Sequence, residues 1–306
     1  MKLSYTTGVL LIIVLCATAC KKEGALTATP DETGYSVPQG TNSYDTTILN
    51  LYNKYGTYFL YRFTDKDTYW AATAWKNSTM DTAGIWSAGY LVTTADTAYV
   101  AKQLALINKL WLSYYSDAFL KKFLPAKVML CASIDSIYTN ISRVKIVKSV
   151  GAWYNYDNIC VNNGSAAINT MTGSDSTKYL AKVNLIFMQS IAGRNLSAPT
   201  NAFSTIPTYA STFASQALAY AQGIITVYYN PRSPQLDWNA YIEAMVTRSE
   251  TNLNKSTANT DMTYLGILNV TKDSGGKIRQ RYNLIRNYFI TNYGVDLQAI
   301  GNAADK

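Results

Sequence analysis

The sequence predicts an α+β fold, with a small sheet early in the chain and helices late. Two observations carry this expectation. Apolar, β-branched runs separated by Asn, Gly and Ser turns fall between Lys127 and Asn162, whereas helical spacing dominates after Gly173. A third is that no internal repeat divides the 306 residues, a length ample to bury one continuous core. Charged residues make up only 15% of the chain and aromatic ones 13%, which excludes a disordered chain.

The N-terminus sets the compartment. Met1-Lys2 supplies a positive start, Gly8 to Leu15 an apolar run too short to span a bilayer, and Ala17-Thr18-Ala19 a small-residue end. Residues 1–19 therefore read as a signal peptide. Cys20, followed by Lys21-Lys22, resembles the lipidated cysteine of bacterial lipoproteins, although Ala17 stands where leucine is commoner. The expected partner is a lipid membrane, reached through acylated Cys20, and the expected place is the cell envelope, as an outer-membrane lipoprotein on its surface or periplasmic face. Residues 20–42, rich in Thr, Gly, Pro and acidic residues, read as a flexible tether, and residues 43–306 as a single domain.

Within that domain Ile48, Leu51, Tyr52 and Tyr55 share one helical face, with Ser43 or Asp45 as cap and Gly56 near the end. Tyr58 to Phe63 reads as a strand. Residues 65–95 are aromatic and turn-rich and predict no element. Asp96 begins a helix carrying Val100, Leu104, Ile107 and Trp111, and a second helical piece stops at Pro125. Lys127 to Ile134, Arg143 to Val150 and Asn158 to Asn162 are the strands of the small sheet. The later helices are Asp175 to Ala192, Tyr209 to Ile225, Asp237 to about Leu253, and Lys277 to Asn292, which Gly294 stops.

Charge and composition narrow the chemistry. The formal charge of +8 falls to +7 once Lys2 leaves with the signal, and its densest group, Lys277, Arg279, Arg281 and Arg286, reads as a solvated helix face. No nucleic-acid partner is expected. Cys131 and Cys160 sit in apolar runs and are expected as buried thiols rather than a disulfide. The chain has no histidine, so histidine-dependent serine and cysteine triads cannot be built, and no Walker-type loop occurs.

Three stretches in order resemble the zinc-binding metallopeptidase-like lipoproteins of Bacteroidota, often found beside polysaccharide-uptake outer-membrane proteins. They are Tyr52-Asn-Lys-Tyr-Gly-Thr-Tyr-Phe-Leu-Tyr-Arg-Phe-Thr-Asp65, Phe119-Leu-Lys-Lys-Phe-Leu-Pro-Ala-Lys-Val-Met-Leu130, and Lys277 to Ile300 with its Tyr293-Gly-Val-Asp-Leu297 ending. The resemblance implies a zincin-like fold and a catalytic helix bearing His-Glu-x-x-His, which sets two imidazoles one turn apart while the glutamate activates the zinc-bound water. That helix is expected within Tyr209 to Ile225, where Phe213, Ala217, Tyr220, Ala221 and Ile224 recur at helical spacing. Ser215, Gln216 and Ala219 would then mark a degenerate active site, with Ser and Ala at the ligand positions and Gln216 at that of the base.

No catalytic residue, metal ligand or cofactor is therefore expected. Asp237, Glu243 and Glu250 are the only acids between there and Asp261 and read as solvated helix charges rather than an ion site. The resulting expectation is a non-catalytic, membrane-anchored accessory or binding protein associated with polysaccharide uptake, its partner a polysaccharide or an outer-membrane transporter. The alternative is a hydrolase, peptidase-like or glycan-cleaving, with an atypical site. Trp70, Trp75, Trp86, Trp153, Tyr154 and Tyr156 are the candidate sugar-binding aromatics.

Overall fold

The computed structural model describes residues 34–69, 79–209 and 212–305. The chain divides into two compact units, Met1–Ser36 and Val37–Lys306. Of the first, only residues 34–36 are described, so the signal peptide, Cys20 and most of the expected tether lie outside the described residues.

The second unit begins with helix α1 (Ser43–Tyr55), where the Asp45 carboxylate accepts from the Asn42 backbone N–H at 2.8 Å and Gly56 closes the helix at a left-handed φ of 72°. Strand β1 (Tyr58–Leu60) and helix α2 (Asp65–Tyr69) follow, then β2 (Gly89–Thr94). Helix α3 (Val100–Leu110) buries Val100, Leu104 and Ile107, the face its spacing predicts. Helix α4 (Asp117–Phe123) is capped by Ser116 and ends before Pro125. Strands β3 (Lys127–Thr139), β4 (Lys145–Ser149), β5 (Ala152–Tyr154) and β6 (Asn158–Val161) complete the sheet. The rest is helical: α5 (Gly173–Gly193), α6 (Asn201–Ser204), α7 (Gln216–Ala221), α8 (Pro234–Thr247), α9 (Glu250–Leu253), α10 (Lys277–Tyr293) and α11 (Leu297–Ala304). The α+β expectation holds, strands early and helices late.

Strand β3 is the axis of the sheet. Its first half lies between β1 and β6, parallel to both, and β5 adds antiparallel outside β6. Its second half pairs antiparallel with β2 and β4. The burial pattern follows the change: Lys127 to Cys131 are continuously buried, as suits strands covered on both faces, and beyond them only Ile134 and Ile137 are buried. A register shift between Thr93 and Thr94 sets Ala132 as an extra residue on β3, a bulge where the sheet changes partners. Cys131 and Cys160 are free and buried on adjacent strands, and burial pushes the Cys160 thiol well above its ordinary pKa.

The long helix α5 packs on β5 and β6 and, on its other side, against α8 and α11. Close packing of α11 on α8 depends on Gly301, where any side chain would run into the carbonyl oxygens of Met245 and Arg248. The predicted Asp237 to Leu253 helix is broken in two. Arg248 is extended, and Ser249 turns to cap α9, because its N–H and hydroxyl are drawn to the Asp305 carboxylate. The predicted Tyr209 to Ile225 helix shortens to the six residues of α7: Ser215 is its N-cap, and Gly223 at φ 78° reverses the chain after it.

The basic group on α10 is not a solvated face. Arg281 is fully buried and pairs at 2.8 Å with equally buried Asp237. Its guanidinium also donates to Gly223 O and Tyr209 Oη and lies 3.7 Å over the Phe203 ring. Thr226 and Tyr209 hydroxyls donate to the Asp237 carboxylate. Arg279 donates to Leu268 O, Lys277 to Gln222, and Arg286 makes a two-pronged pair with Asp296. These cations are spent on holding α10 to the loops around it. Among the described residues no helix is long and apolar enough to cross a membrane.

Candidate functional site: a cleft between the long helix and α8

A cavity of about 420 Å³ opens where β5, the C-terminal half of α5 and the middle of α8 meet. Helix α5 contributes Leu185, Met188, Gln189 and Ala192; α8 contributes Asn239 and Glu243; β5 contributes Trp153 and Tyr154. The geometry follows from helical periodicity. Leu185 and Gln189, one turn apart, face the cavity, whereas Ile186, Phe187 and Ser190 between and beside them are buried in the helix packing. Asn239 and Glu243 are likewise one turn apart on α8, so each helix offers a pair of residues to the same space. Gly193 at the end of α5 makes room for Tyr154, whose Cε2 would stand 3.2 Å from a Cβ there.

The polar groups are few and held. Gln189 and Glu243 both line the cleft, and the Gln189 side chain pulls against the rise in the Glu243 carboxyl pKa. Gln235 Nε2 donates to Asn239 Oδ1 at 3.0 Å and to Ser197 O, fixing the Asn239 amide, and Trp238 Nε1 donates to Ser197 Oγ below it. Trp153 stacks on Tyr90 with ring centroids 4.8 Å apart, and the Lys182 ammonium lies 5.2 Å from the Trp153 ring centre. Glu243 also lines a second cavity of about 440 Å³ with Asn230, Arg248 and Tyr264, so this carboxylate stands where two hollows meet.

Burial pushes the Glu243 carboxyl above the ordinary carboxylate pKa, against the smaller opposing pulls of the Gln189 hydrogen bond and the Lys182 charge. Its folded-state value thus lies above its unfolded one, and the native chain holds the proton more tightly. The contribution of Glu243 to stability therefore declines as pH rises from the ordinary carboxylate range through the raised folded value. Glu243→Gln should remove that decline, matching the wild type at the acid end and exceeding it above the window. Urea midpoints measured against pH check this, and an unchanged slope counts against it.

The expected degenerate-site residues lie elsewhere. Ser215 accepts from Leu218 N as the cap of α7, and Ala219 is fully buried. The buried Gln216 amide donates to Thr226 O at 3.2 Å and accepts from Tyr228 N at 2.9 Å, so it clamps the following turn. Buried Tyr220 donates its hydroxyl to Asp261 O. None of the three residues lines the α5–α8 cleft. Nor are Asp237 and Glu243 solvated helix charges, since Asp237 is the buried partner of Arg281 and Glu243 faces the cleft.

Of the six candidate aromatics, Trp70 and Trp75 lie outside the described residues. Trp153 and Tyr154 line the cleft, but Trp86 does not join them. Its backbone N–H donates to the Thr139 hydroxyl at the far end of β3, and Lys145 covers its ring. Tyr156, 64% exposed, lies on the turn between β5 and β6, outside the cavity lining. Sequence reading missed Leu185, Gln189 and Asn239. The signal was there in Gln189, an amide among the apolar residues at the end of a long helix.

A zinc ion does not fit this donor set. The lining offers one carboxylate, two side-chain amides and no imidazole, and among the described residues no group of three His, Cys, Asp or Glu stands close enough to hold a metal.

Residues 40–298 match a family model described as "Putative zinc-binding metallo-peptidase". A crystal structure of a protein of that same description from Bacteroides caccae is similar at 12% identity and a TM-score of 0.45, over 87% of this chain and 93% of that one. No curated protein matches the chain.

Proposed function

The chain belongs to the zinc-binding metallo-peptidase family, and from that premise we propose that it is a non-catalytic member, a binding protein that uses the α5–α8 cleft for a saccharide. The mixed α+β body is consistent with the zincin-like fold of that reading. In the cleft, Leu185 and Gln189 have the i, i+4 spacing of the two imidazoles in His-Glu-x-x-His, and Ile186 has the place of the glutamate. On this reading the degenerate site is on α5, not α7.

The single observation that carries the proposal is the composition of the cleft wall. Tyr154 and the aliphatic residues of α5 offer apolar surface, beside Gln189, Asn239 and Glu243, whose amides and carboxyl can bond hydroxyl groups. Sugars present both kinds of surface. A glycan array with the purified protein tests this, and a peptide set runs beside it. A neutral oligosaccharide should bind, and Tyr154→Ala should weaken it roughly tenfold, equivalent to about 1.4 kcal/mol. An array without hits, or a Tyr154→Ala variant that binds as the wild type does, defeats the saccharide reading. Turnover of a peptide or glycan would favour the alternative of a hydrolase.

The setting proposed for this binding is the cell envelope, in association with polysaccharide uptake. The support is the leader and Cys20, because the acyl chains of a bacterial lipoprotein bind a bilayer durably where one chain binds reversibly. Cys20→Ser should move the protein from the membrane to the soluble fraction, and retention in the membrane would argue against lipidation.

A further inference from the structure

A third hollow, of about 570 Å³, lies between β4, the loop after β6 and the N-terminal half of α5. Three ammonium groups line it. Lys148 comes from β4, while Lys178 and Lys182, one turn apart, come from α5. Lys148 and Lys178 are exposed and Lys182 is half-buried, and the Lys148 charge disfavours that of Lys182. Among the described residues no carboxylate lies within ion-pair distance of any of the three. Asp175, the one acid in the lining, is committed to the start of α5, where its carboxylate accepts from both the Thr172 backbone N–H and hydroxyl.

Lys182 is the most confined of the three. Its ammonium lies over the Trp153 ring, and burial lowers its pKa below the ordinary lysine value, with the Lys148 charge adding to the effect and Glu243 opposing it. The rest of the wall mixes polar residues with Val150, Ala167, Met171 and Tyr179. Asn162 donates to Val150 O and Ser149 Oγ and accepts from Asn163 N, so the β6 exit is locked against the end of β4. A negative group entering this hollow would relieve the repulsion between Lys148 and Lys182 without displacing an existing ion-pair partner.

We propose that this hollow is a binding site for a ligand carrying a carboxylate or sulfate group, held by the ammonium groups of Lys148, Lys178 and Lys182. It is separate from the α5–α8 cleft and does not depend on the saccharide reading of that cleft. The source of the anion is either a free inorganic oxyanion or an acidic sugar.

Calorimetric titration of the full chain with sodium sulfate, glucuronate and glucose separates these. Binding of glucuronate alone marks an acidic sugar as the source, and equal binding of sulfate marks the free oxyanion. Glucose should not bind at this site. Lys148→Gln and Lys182→Met should each weaken the anion at least tenfold, and rising salt should weaken it further. Lys121→Gln, on the exposed face of α4, should change nothing. Because Lys148 is exposed, its variant keeps the test meaningful even if Lys182→Met disturbs the Trp153 packing. If neither anion binds, or if binding survives Lys148→Gln and Lys182→Met unchanged, the proposal is wrong.

Discussion

Replacing Arg281 with methionine is expected to destabilise the protein by about 3–5 kcal/mol, the usual cost of leaving one charge of a buried pair without its partner. Both Arg281 and Asp237 have no exposed surface, so water cannot take over the role of the lost guanidinium. Tyr209 and Thr226 would still donate to the Asp237 carboxylate, but two neutral hydroxyls do not offset a full negative charge in the interior. The same change strips a donor from Gly223 O and opens space against Phe203. Arg281→Lys should also be costly, because a single ammonium cannot span Asp237, Gly223 O and Tyr209 at once. Removing both charges, as Arg281→Met with Asp237→Leu, should recover part of the loss, since apolar replacements of a buried pair are often tolerated. Urea unfolding of the two single variants and the double variant measures the coupling. An Arg281→Met variant within 1 kcal/mol of the wild type would show that the pair is not what fixes α10 to α8.

The second large effect is a gain. If the cleft between α5 and α8 is a metal site that has lost its ligands, then Leu185→His with Gln189→His should restore one. Two imidazoles one turn apart on α5, with the Glu243 carboxylate facing them from α8, make a three-ligand set of the kind zinc accepts. Bound zinc stabilises only the folded state, so at 100 times its dissociation constant it should add about 2.7 kcal/mol to the double variant. A chelator should reverse the shift, and Glu243→Gln in the same background should abolish it. Loss of the effect at low pH is expected too, because protonated imidazoles do not bind metal. Thermal unfolding with and without zinc is the readout. A double variant indifferent to zinc would place the family's metal helix elsewhere.

The fold was largely legible in the chain because its signals are local. Pro125 and Gly294 end helices where the sequence says they must, and the β-branched runs after Lys127 form the sheet. Residues 65–95 were not legible: the exposure pattern of β2 is irregular along an edge where only β3 supports it. Helix α7 misled because helical spacing in an apolar, alanine-rich stretch cannot register a serine acting as a cap or a glycine turning back the chain. The Asp237 to Leu253 segment misled for a long-range reason. The break at Arg248 is made by Asp305, more than fifty residues away, which draws Ser249 out of the helix.

The candidate site was harder to see than the fold. Its residues come from three elements that are close only once α5 lies across β5 and α8 across α5, a packing that no local pattern announces. Glu243 could be named from the sequence but not placed, and its neighbour Asp237, six residues earlier, turns to the opposite side of α8 to meet Arg281. What the sequence did carry was the chemistry that is missing: without a histidine, no arrangement of these helices yields the family's imidazole pair.

If the cleft binds its ligand without zinc, the metal content and chelator response of the purified wild-type protein should show it: far less than one zinc per chain after dialysis against zinc, no zinc-dependent thermal shift, and no chelator-sensitive cleavage of peptides. One tightly held zinc per chain, with peptide cleavage that stops on chelation, would contradict it.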